Sequence, residues 1–474
     1  MHLRDLLGEG PDDVQVTGLA YDNRAVGPGT LFFCVPGFTR DGHDFAPDAV
    51  ARGAGALVVA RPLGSGVPEV VVGDVREAMA RAAARFHGDP TRRMRVVGIT
   101  GTNGKTTTAF LVRGVLEAAG IRTGLLGTVK SVVGGRERAV ERTTPEAIDL
   151  QAMFAEMLAA GDEACVMEVS SHALTLHRAT GIAFAAALFT NLSRDHLDFH
   201  PTMEDYFQAK RRLFAMDPGV RVVNLDDPYG CRLAEEFPDV VGYGIDAPGA
   251  AYRARDVSID LTGSSFAADT PDGSVALRTP MPGLFNVANV LGAFATARSL
   301  GVDARVAADA LERAGRVPGR FEAVDEGQPF AVVVDYSHTP DSLENALQAA
   351  RGLARGRVLC VFGCGGDRDR GKRPEMGDIA ARMADLAIVT SDNPRSEDPE
   401  SIIEEIVAGN DAAFVREADR RRAIAHAIQR AEAGDVVLVA GKGHEQGQEF
   451  AGGRKEPFDD VAVAREALRA VRAR

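Results

Sequence analysis

Residues 95–120 read RVVGITGTNGKTTTAFLVRGVLEAAG. The opening RVVGIT is a short apolar run of the kind a buried strand requires. It enters a turn holding Gly101 and Gly104, followed by Lys105 and three threonines. Beyond the turn Leu111, Val112, Val115, Leu116 and Ala119 recur at helical spacing, and Gly120 supplies a helix stop. Strand, glycine-rich loop and helix in that order make a phosphate cradle. Glycines let backbone N–H groups approach an anion, the helix N-terminus favours negative charge, the lysine neutralises, and the first threonine can ligate magnesium. The pattern departs from the standard one where Ile99 stands in place of a glycine. A glycine turn carrying an exposed lysine is the competing reading.

Strands and helices alternate on both sides of this unit. Residues 1–88 carry the strand-like pieces LFFCV, ALVVA and EVVVG with helical stretches between them. They end at HGDPTRRM, a polar, proline-containing stretch that reads as a linker. Residues 89–317 form a second block around the glycine loop. Residues 318–474 alternate FAVVVDY, a helix from Pro340, GRVLCVFG, a helix from Arg373, LAIVTS, a helix from Pro399, and DVVLVAG. Short strands alternating with longer helical segments predict parallel sheets covered by helices. The expectation is an α/β chain of three domains: a small mixed α/β domain, a central P-loop-type parallel-sheet domain and a C-terminal Rossmann-like domain. A length of 474 residues agrees with that number.

Lysines and arginines number 54 against 67 acidic residues, a net charge of −13. Such a surface repels a phosphate backbone, which argues against a nucleic-acid partner. No apolar run approaches the ~18 residues of a membrane span. The N-terminal MHLRDLLGEG is acidic where a secretion signal has a basic head and an apolar stretch. A cytoplasmic protein without membrane contact is expected. Cys34, Cys165, Cys231, Cys360 and Cys364 are scattered without metal-ligand spacing, so they read as reduced structural thiols.

A second chemical region follows in MEVSSHALTLHR and FTNLSRDHLDFHPTMEDYFQAKRRLF. Glu168 ends an apolar segment, where a carboxylate can help to hold Mg²⁺. Four of the ten histidines lie here: His172, His177, His196 and His200. DHLDFH admits a zinc site, but carboxylates and imidazoles without cysteine, close to a nucleotide loop, fit magnesium and substrate better. Solvated loop histidines remain an equal alternative.

GTNGKTT, TTPEA, EVSSHAL, TNLSRDHLDFH, YFQAK, DYSHTPDSL, GCGGDRDRGKRP, DNPR and GKGHE occur in this order over nearly the whole chain. Together they resemble the Mur ligase family, and within it the ligases that add the third residue of the peptidoglycan stem. The resemblance implies amide formation in two steps: the γ-phosphate of ATP passes to a carboxylate, and an amine attacks the acyl phosphate. Catalytic roles would fall to Lys105, His196, Lys210 and Arg320. Gly101, Thr102, Asn103, Gly104, Lys105, Thr106 and Thr107 would take the phosphates of ATP, Asn289 the adenine, and Arg320 and Asp335 further ATP contacts. Of two Mg²⁺ ions, one would be held by Thr106 and Glu168 and the second by His196. Lys210 resembles a lysine that carries CO₂ as a carbamate (N6-carboxylysine), an anion where an ammonium would repel metal. From the residues alone, Lys210 reads as one more surface lysine in AKRR.

The same resemblance implies UDP-MurNAc-L-Ala-D-Glu as a substrate. Asn23, Phe38, Thr39 and Arg40 would hold its UDP end, and Arg142, Thr143, Thr144, Ser170 and Arg178 its muramoyl-dipeptide. Two positions depart from the family pattern, Asn23 where serine is usual and Leu176 where glutamine is common. For the incoming amino acid, meso-2,6-diaminopimelate, the contacts would be Arg368, Asp392, Asn393, Pro394, Arg395, Gly441 and Glu445. DNPR read by itself is an Asn-Pro turn with an exposed arginine. A monomer acting on these small molecules is expected. The alternatives are a sibling ligase such as a folylpolyglutamate synthase or muramoyl-alanine ligase, an ATP-hydrolysing switch, and a paralogue serving secondary metabolism. TTPEA, DNPR and the uridine block argue against the sibling; Asn23 and Leu176 leave the paralogue open.

Overall fold

The strand Thr30–Phe33 buries every side chain it carries. In a computed structural model, which describes residues 1–410 and 413–472, that strand lies inside a four-stranded sheet. Gly18–Ala20, Thr30–Phe33, Ala54–Val59 and Glu69–Val71 run parallel in that order. Side chains alternate across a strand. Leu31, Phe33, Ala56 and Val58 therefore pack with Leu3, Leu6, Val75 and Met79 on one face. Phe32, Leu57 and Val59 pack with Ala46 and Ala49 on the other. Burial on both faces is why LFFCV and ALVVA are unbroken apolar runs.

The stretch 87–94, expected to be a linker, is instead built into the fold. Pro90–Arg92 makes a 3-10 turn, Thr91 is 2% exposed, and its hydroxyl accepts a bond from the Ala183 N–H at 3.0 Å. Asp, Pro and Thr serve tight turns as readily as linkers, so composition alone did not separate the two.

Packing divides the chain into two units. The first comprises Met1–Thr100, Gly120–Leu188 and Gln208–Arg221. Besides the N-terminal sheet it contains Arg95–Thr100 parallel to Ala164–Glu168, with Thr123–Leu126 parallel on the far side of the latter. Gly98 is required here, because a Cβ would stand 2.7 Å from the Phe184 ring.

The second unit comprises Gly101–Ala119, Phe189–Phe207 and Val222–Arg474. It holds the helix Lys105–Ala118, which buries Leu111, Val112, Val115 and Leu116 as the periodicity predicted, while Ala119 is exposed. It also holds a six-stranded sheet in the order Glu322–Ala323, Ala331–Asp335, Val436–Ala440, Val358–Phe362, Leu386–Val389, Val415–Arg416. Only the first strand is antiparallel. Helices Pro340–Leu353, Lys372–Met383 and Pro399–Val407 cover one face, and Arg420–Arg430 and Asp460–Arg472 cover the other. The last two helices were absent from the sequence expectation. Because the four long strands are parallel, the segments leaving their carboxyl ends share one edge: YSH, GCGG, DNPR and GKGHE. Ligands of open α/β sheets bind at such an edge.

The chain is thus mixed α/β, with an N-terminal domain, a central parallel-sheet domain and a C-terminal domain. Among the described residues no helix is long and apolar enough to cross a membrane.

Candidate active-site residues

In the second unit the glycine loop is fixed from its own backbone. Gly101 has φ +151° and Gly104 φ +83°. A Cβ on Gly101 would lie 1.8 Å from Thr190 Oγ1, and one on Gly104 would lie 2.4 Å from Asn289 Oδ1. The TNLS segment holds the loop: Thr102 N–H donates to Asn191 O at 2.8 Å, Asn103 N–H to Asn191 Oδ1 at 2.8 Å, and Thr190 Oγ1 to Asn103 O at 2.6 Å. Asn103 Nδ2 donates to Asp341 Oδ2 at 2.7 Å. Lys105 Nζ folds back onto Gly101 O and Thr102 O at 2.9 and 2.8 Å. Thr106 and Thr107 are buried in the first helical turn. Asn289 is buried against the loop and accepts from Thr108 Oγ1 at 3.3 Å.

Arg320 comes to the same place. Its Nη2 donates to Thr106 Oγ1 at 3.0 Å, and its guanidinium lies over the Tyr336 ring. Asp335 is committed to the backbone, accepting from Phe321 N–H at 2.7 Å and from the Ser337 hydroxyl. It shapes the turn that carries Arg320.

The four histidines of the second chemical region do not form one group. His196 adopts φ +56° and is partly exposed, with Nε2 3.3 Å from Asp195 Oδ2. Asp195 is buried, which pushes its pKa up, but its neighbours His196, His338 and Lys372 outweigh burial and hold it down to about 2. His200 is buried and stacks on Tyr206 at 5.1 Å. His172 and His177 belong to the first unit. Among the described residues no three His, Cys, Asp or Glu side chains gather as a metal-binding group. Arg194, which the sequence did not single out, donates to Asp369 at 3.1 Å and Glu375 at 2.8 Å. It ties TNLSRDH to GCGGDRDRGKRP.

DNPR lies where three loops meet at the carboxyl edge of the C-terminal sheet. Arg395 has φ +53°, and its N–H donates to Glu449 O at 3.0 Å. Its Nε donates to Glu449 Oε2 at 3.1 Å and Nη1 to Gly366 O at 2.8 Å. Arg368 and Arg395 both flank Gly365, while Arg368 itself is exposed. Asn393 Nδ2 donates to Glu445 Oε2 at 2.9 Å. Asp392 is buried, and Lys442 and Arg420 hold its carboxylate below the usual range against that burial. Gly441 at φ +124° passes so close that a Cβ would stand 3.2 Å from Asp392 Oδ2. Pro394 is buried, and its carbonyl closes on Gly366. Lys442 and Glu449 were missed by the sequence reading. Lys442 is fully buried, and its Nζ donates to Asn393 Oδ1 at 2.9 Å and Glu445 Oε2 at 3.0 Å.

In the first unit Glu168 is buried and accepts from Thr128 N–H at 2.8 Å and Thr128 Oγ1 at 3.0 Å. Thr144 Oγ1 donates to Glu168 O at 2.9 Å and accepts from Ser170 N–H at 3.1 Å. Thr143 Oγ1 meets Thr128 Oγ1 at 3.1 Å. Arg142 and Arg178 each reach Glu146 at 2.8 Å, and Arg76 reaches it at 3.4 Å. Three guanidinium groups thus share the Glu146 carboxylate, and Arg76 did not stand out in the sequence. Lys210, on the helix Met203–Ala215, is 1% exposed, which removes the surface-lysine reading. Asn23 donates to Asp48 Oδ2 at 2.7 Å. Phe38 is 78% exposed, and Thr39 and Arg40 are exposed beside it. Leu176 caps the short helix Ser171–Thr175.

The chain is similar to known proteins over nearly its whole length. Three family descriptions match: "Mur ligase family, catalytic domain" over residues 15–87, "Mur ligase middle domain" over 99–297, and "Mur ligase, glutamate ligase domain" over 319–443. The chain is 48% identical to a UDP-N-acetylmuramoyl-L-alanyl-D-glutamate–2,6-diaminopimelate ligase of Geobacillus thermodenitrificans, covering 98% of this chain and 96% of that one. It is 47% identical to a ligase of the same name from Streptomyces coelicolor, with the same coverage. A solved structure of a protein of that name matches with a TM-score of 0.71 at 33% identity, covering 99% of both chains.

Proposed function

The chain belongs to the Mur ligase family, and from that premise we propose that it joins meso-2,6-diaminopimelate to UDP-MurNAc-L-Ala-D-Glu at the expense of ATP. The observation that carries the reading is Arg320 on Thr106 of the glycine loop at 3.0 Å. A guanidinium at a phosphate loop stabilises charge on a phosphoryl group in transfer. The γ-phosphate would pass to the D-glutamate γ-carboxylate, releasing ADP. The amine would then attack the acyl carbon and expel phosphate.

Each role follows from charge, since both substrates and the transferred group are anionic. Residues 101–107 supply backbone N–H groups and the Lys105 cation, with Asn289 beside them for the base. Thr106 and His196 in the second unit, and Glu168 in the first, offer the hard oxygen and imidazole donors that magnesium accepts. Bound magnesium would neutralise phosphate charge. Lys210 is buried and suits it only as a carbamate, since an ammonium would repel the metal. Arg142, Thr143, Thr144, Ser170 and Arg178, with the Asn23 and Phe38 region, are the residues proposed for the sugar dipeptide. Arg368, residues 392–395, Gly441 and Glu445 are those for the amino acid. We assign the domains to residues 1–88, 89–317 and 318–474, and read the protein as a cytoplasmic monomer.

The test is phosphate release from ATP with the sugar dipeptide and a panel of amino acids. Release only with dipeptide and diaminopimelate together is the expected result. Release without an acceptor amine would overturn the reading.

A further inference from the structure

Tyr336 stands among side chains from three separate motifs of the second unit. The Arg320 guanidinium lies 4.4 Å from its ring centroid. The His338 ring meets it edge-on at 4.6 Å, and the His444 ring is tilted against it at 5.0 Å. Its hydroxyl donates to Glu445 Oε1 at 3.4 Å. Burial first, then the Glu445 carboxylate, push the phenol up, so it keeps its proton and remains a donor. The other oxygen of Glu445 accepts from Asn393 and Lys442.

The backbone around this ring is tight. A Cβ on Gly319 would meet His444 N at 2.0 Å, and one on Gly443 would meet Tyr336 Cβ at 2.7 Å. Segments 318–320, 335–338 and 441–445 therefore cannot shift independently, since close-packed interiors transmit displacement. Arg320 is held more loosely than they are. Its Nε is buried without a partner among the described residues, as is His444 Nδ1 beside the same ring. Arg320 rests on the ring face and on Thr106, so its place follows the place of the ring.

We propose that Tyr336 is a positioning residue that couples occupation of the amino-acid pocket at Glu445 to the seating of Arg320 on the phosphate loop. The inference rests on the proposed reading of Glu445 as an amino-acid contact. An incoming ammonium group competes with the Tyr336 hydroxyl for Glu445, the ring adjusts, and Arg320 adjusts with it. Coupling between two ligands is reciprocal, so the amino acid must change the affinity for the nucleotide.

The measurement is the affinity of the full chain for a non-hydrolysable ATP analogue at saturating sugar dipeptide, with and without diaminopimelate. In the parent the amino acid is expected to change that affinity by about 5-fold or more. Tyr336→Phe keeps the ring under Arg320 but loses the hydroxyl. Its ratio should fall below about 2-fold, with affinity in the absence of amino acid unchanged. Tyr336→Leu loses the ring as well and should weaken analogue binding itself by about 5-fold or more. A full ratio in Tyr336→Phe, or no ratio in the parent, would overturn the coupling. A parent that releases phosphate only with dipeptide and diaminopimelate, yet shows no loss of coupling in Tyr336→Phe, defeats this inference and leaves the proposed function standing.

Discussion

Two loops of the second unit are held in place on different terms. Residues 101–107 are held mostly through main-chain groups: two glycines at positive φ, and hydrogen bonds from Thr102, Asn103 and Thr190 that begin or end on the backbone, with one side-chain bond from Asn103 to Asp341. Residues 392–397 are held through charge: Lys442 on Asp392 and Glu445, Arg395 on Glu449, and Arg373 on Glu397. The first arrangement offers N–H donors whose strength does not depend on protonation. The second offers cations and anions whose balance a ligand or a proton can alter. A phosphate chain is common to many ligands and needs only the former, whereas telling one amino acid from another needs the latter.

The largest effect should come from the backbone loop. Gly101→Ala places a methyl group 1.8 Å from Thr190 Oγ1 in a conformation that alanine rarely adopts. The loop must move, and a displacement of about 1 Å in positioning groups can cost ~100-fold in rate. We expect at least that loss in kcat/KM, together with loss of the thermal stabilisation that ATP gives the parent. An alanine variant that still gains stability from ATP would break the distinction drawn between the loops.

Arg395→Ala comes next. Arg395 spends Nε on Glu449 and Nη1 on Gly366 O, which leaves Nη2 without a hydrogen bond among the described residues. A second carboxylate at the far end of diaminopimelate is the partner such a guanidinium requires. Lysine has only a hydrogen where that carboxylate would sit, leaving the guanidinium unpaired beside the ammonium that both amino acids share, a penalty of roughly 3–5 kcal/mol. The parent should prefer diaminopimelate over lysine by two to three powers of ten or more in kcat/KM, roughly that penalty. The variant should lose most activity with diaminopimelate and gain little with lysine. Equal use of both amino acids by the parent would refute the reading of DNPR.

These two loops also differ in how far their sequence betrays them. GTNGKTT is legible because everything it needs (strand, glycines, lysine, helix) is contiguous, and glycine reports backbone conformation directly. DNPR is legible only by resemblance. Its partners Lys442, Glu445 and Glu449 come some fifty residues later, brought together because parallel strands deliver their carboxyl ends to one edge. Lys210 shows the same limit: AKRR on a helix looks solvated until the structure buries it. Arg142 is a local partner of Glu146 four residues away, but Arg76 and Arg178 reach the same carboxylate from distant parts of the chain, which carries no local signal. The helix at 420–430 was missed because only a two-residue strand precedes it, which breaks the alternation of strands and helices that the sequence reading followed.

A smaller effect should come from Glu449→Ala. It leaves the Arg395 N–H bond to the carbonyl of residue 449 intact and removes only the carboxylate that orients Nε. An arginine free to rotate binds a carboxylate less well because its fork is no longer preorganised. KM for diaminopimelate should rise by about 5-fold, with KM for ATP unchanged. A lower KM for diaminopimelate would mean that Glu449 competes for Arg395 and does not position it.

The smallest expected effect is on pH, and it separates the loops most cleanly. Side-chain bonds from the buried Arg373 hold the Glu397 carboxyl down, against the opposing effect of desolvation, from an ordinary 4.5 to about 2. Glu397 also accepts the Asp367 N–H at 2.6 Å, so it joins the DNPR loop to the GCGGDRDRG segment. A carboxyl whose folded value is depressed gives stability that is complete above its unfolded value and is lost as pH falls through the folded one. The window here runs downward from 4.5 toward 2. At about pH 3.5 the contribution should have fallen by about 1 kcal/mol, allowing for the partial exposure of Glu397. Amide exchange protection of residues 392–397 should therefore decline between about pH 5 and pH 3.5, while residues 101–107, which contain no carboxylate, keep theirs apart from any global loss. Glu397→Gln should start with lower protection at neutral pH and lose less on acidification. Equal decline in both loops, or an unchanged acid profile in Glu397→Gln, would show that the DNPR loop is not held by this charge pair.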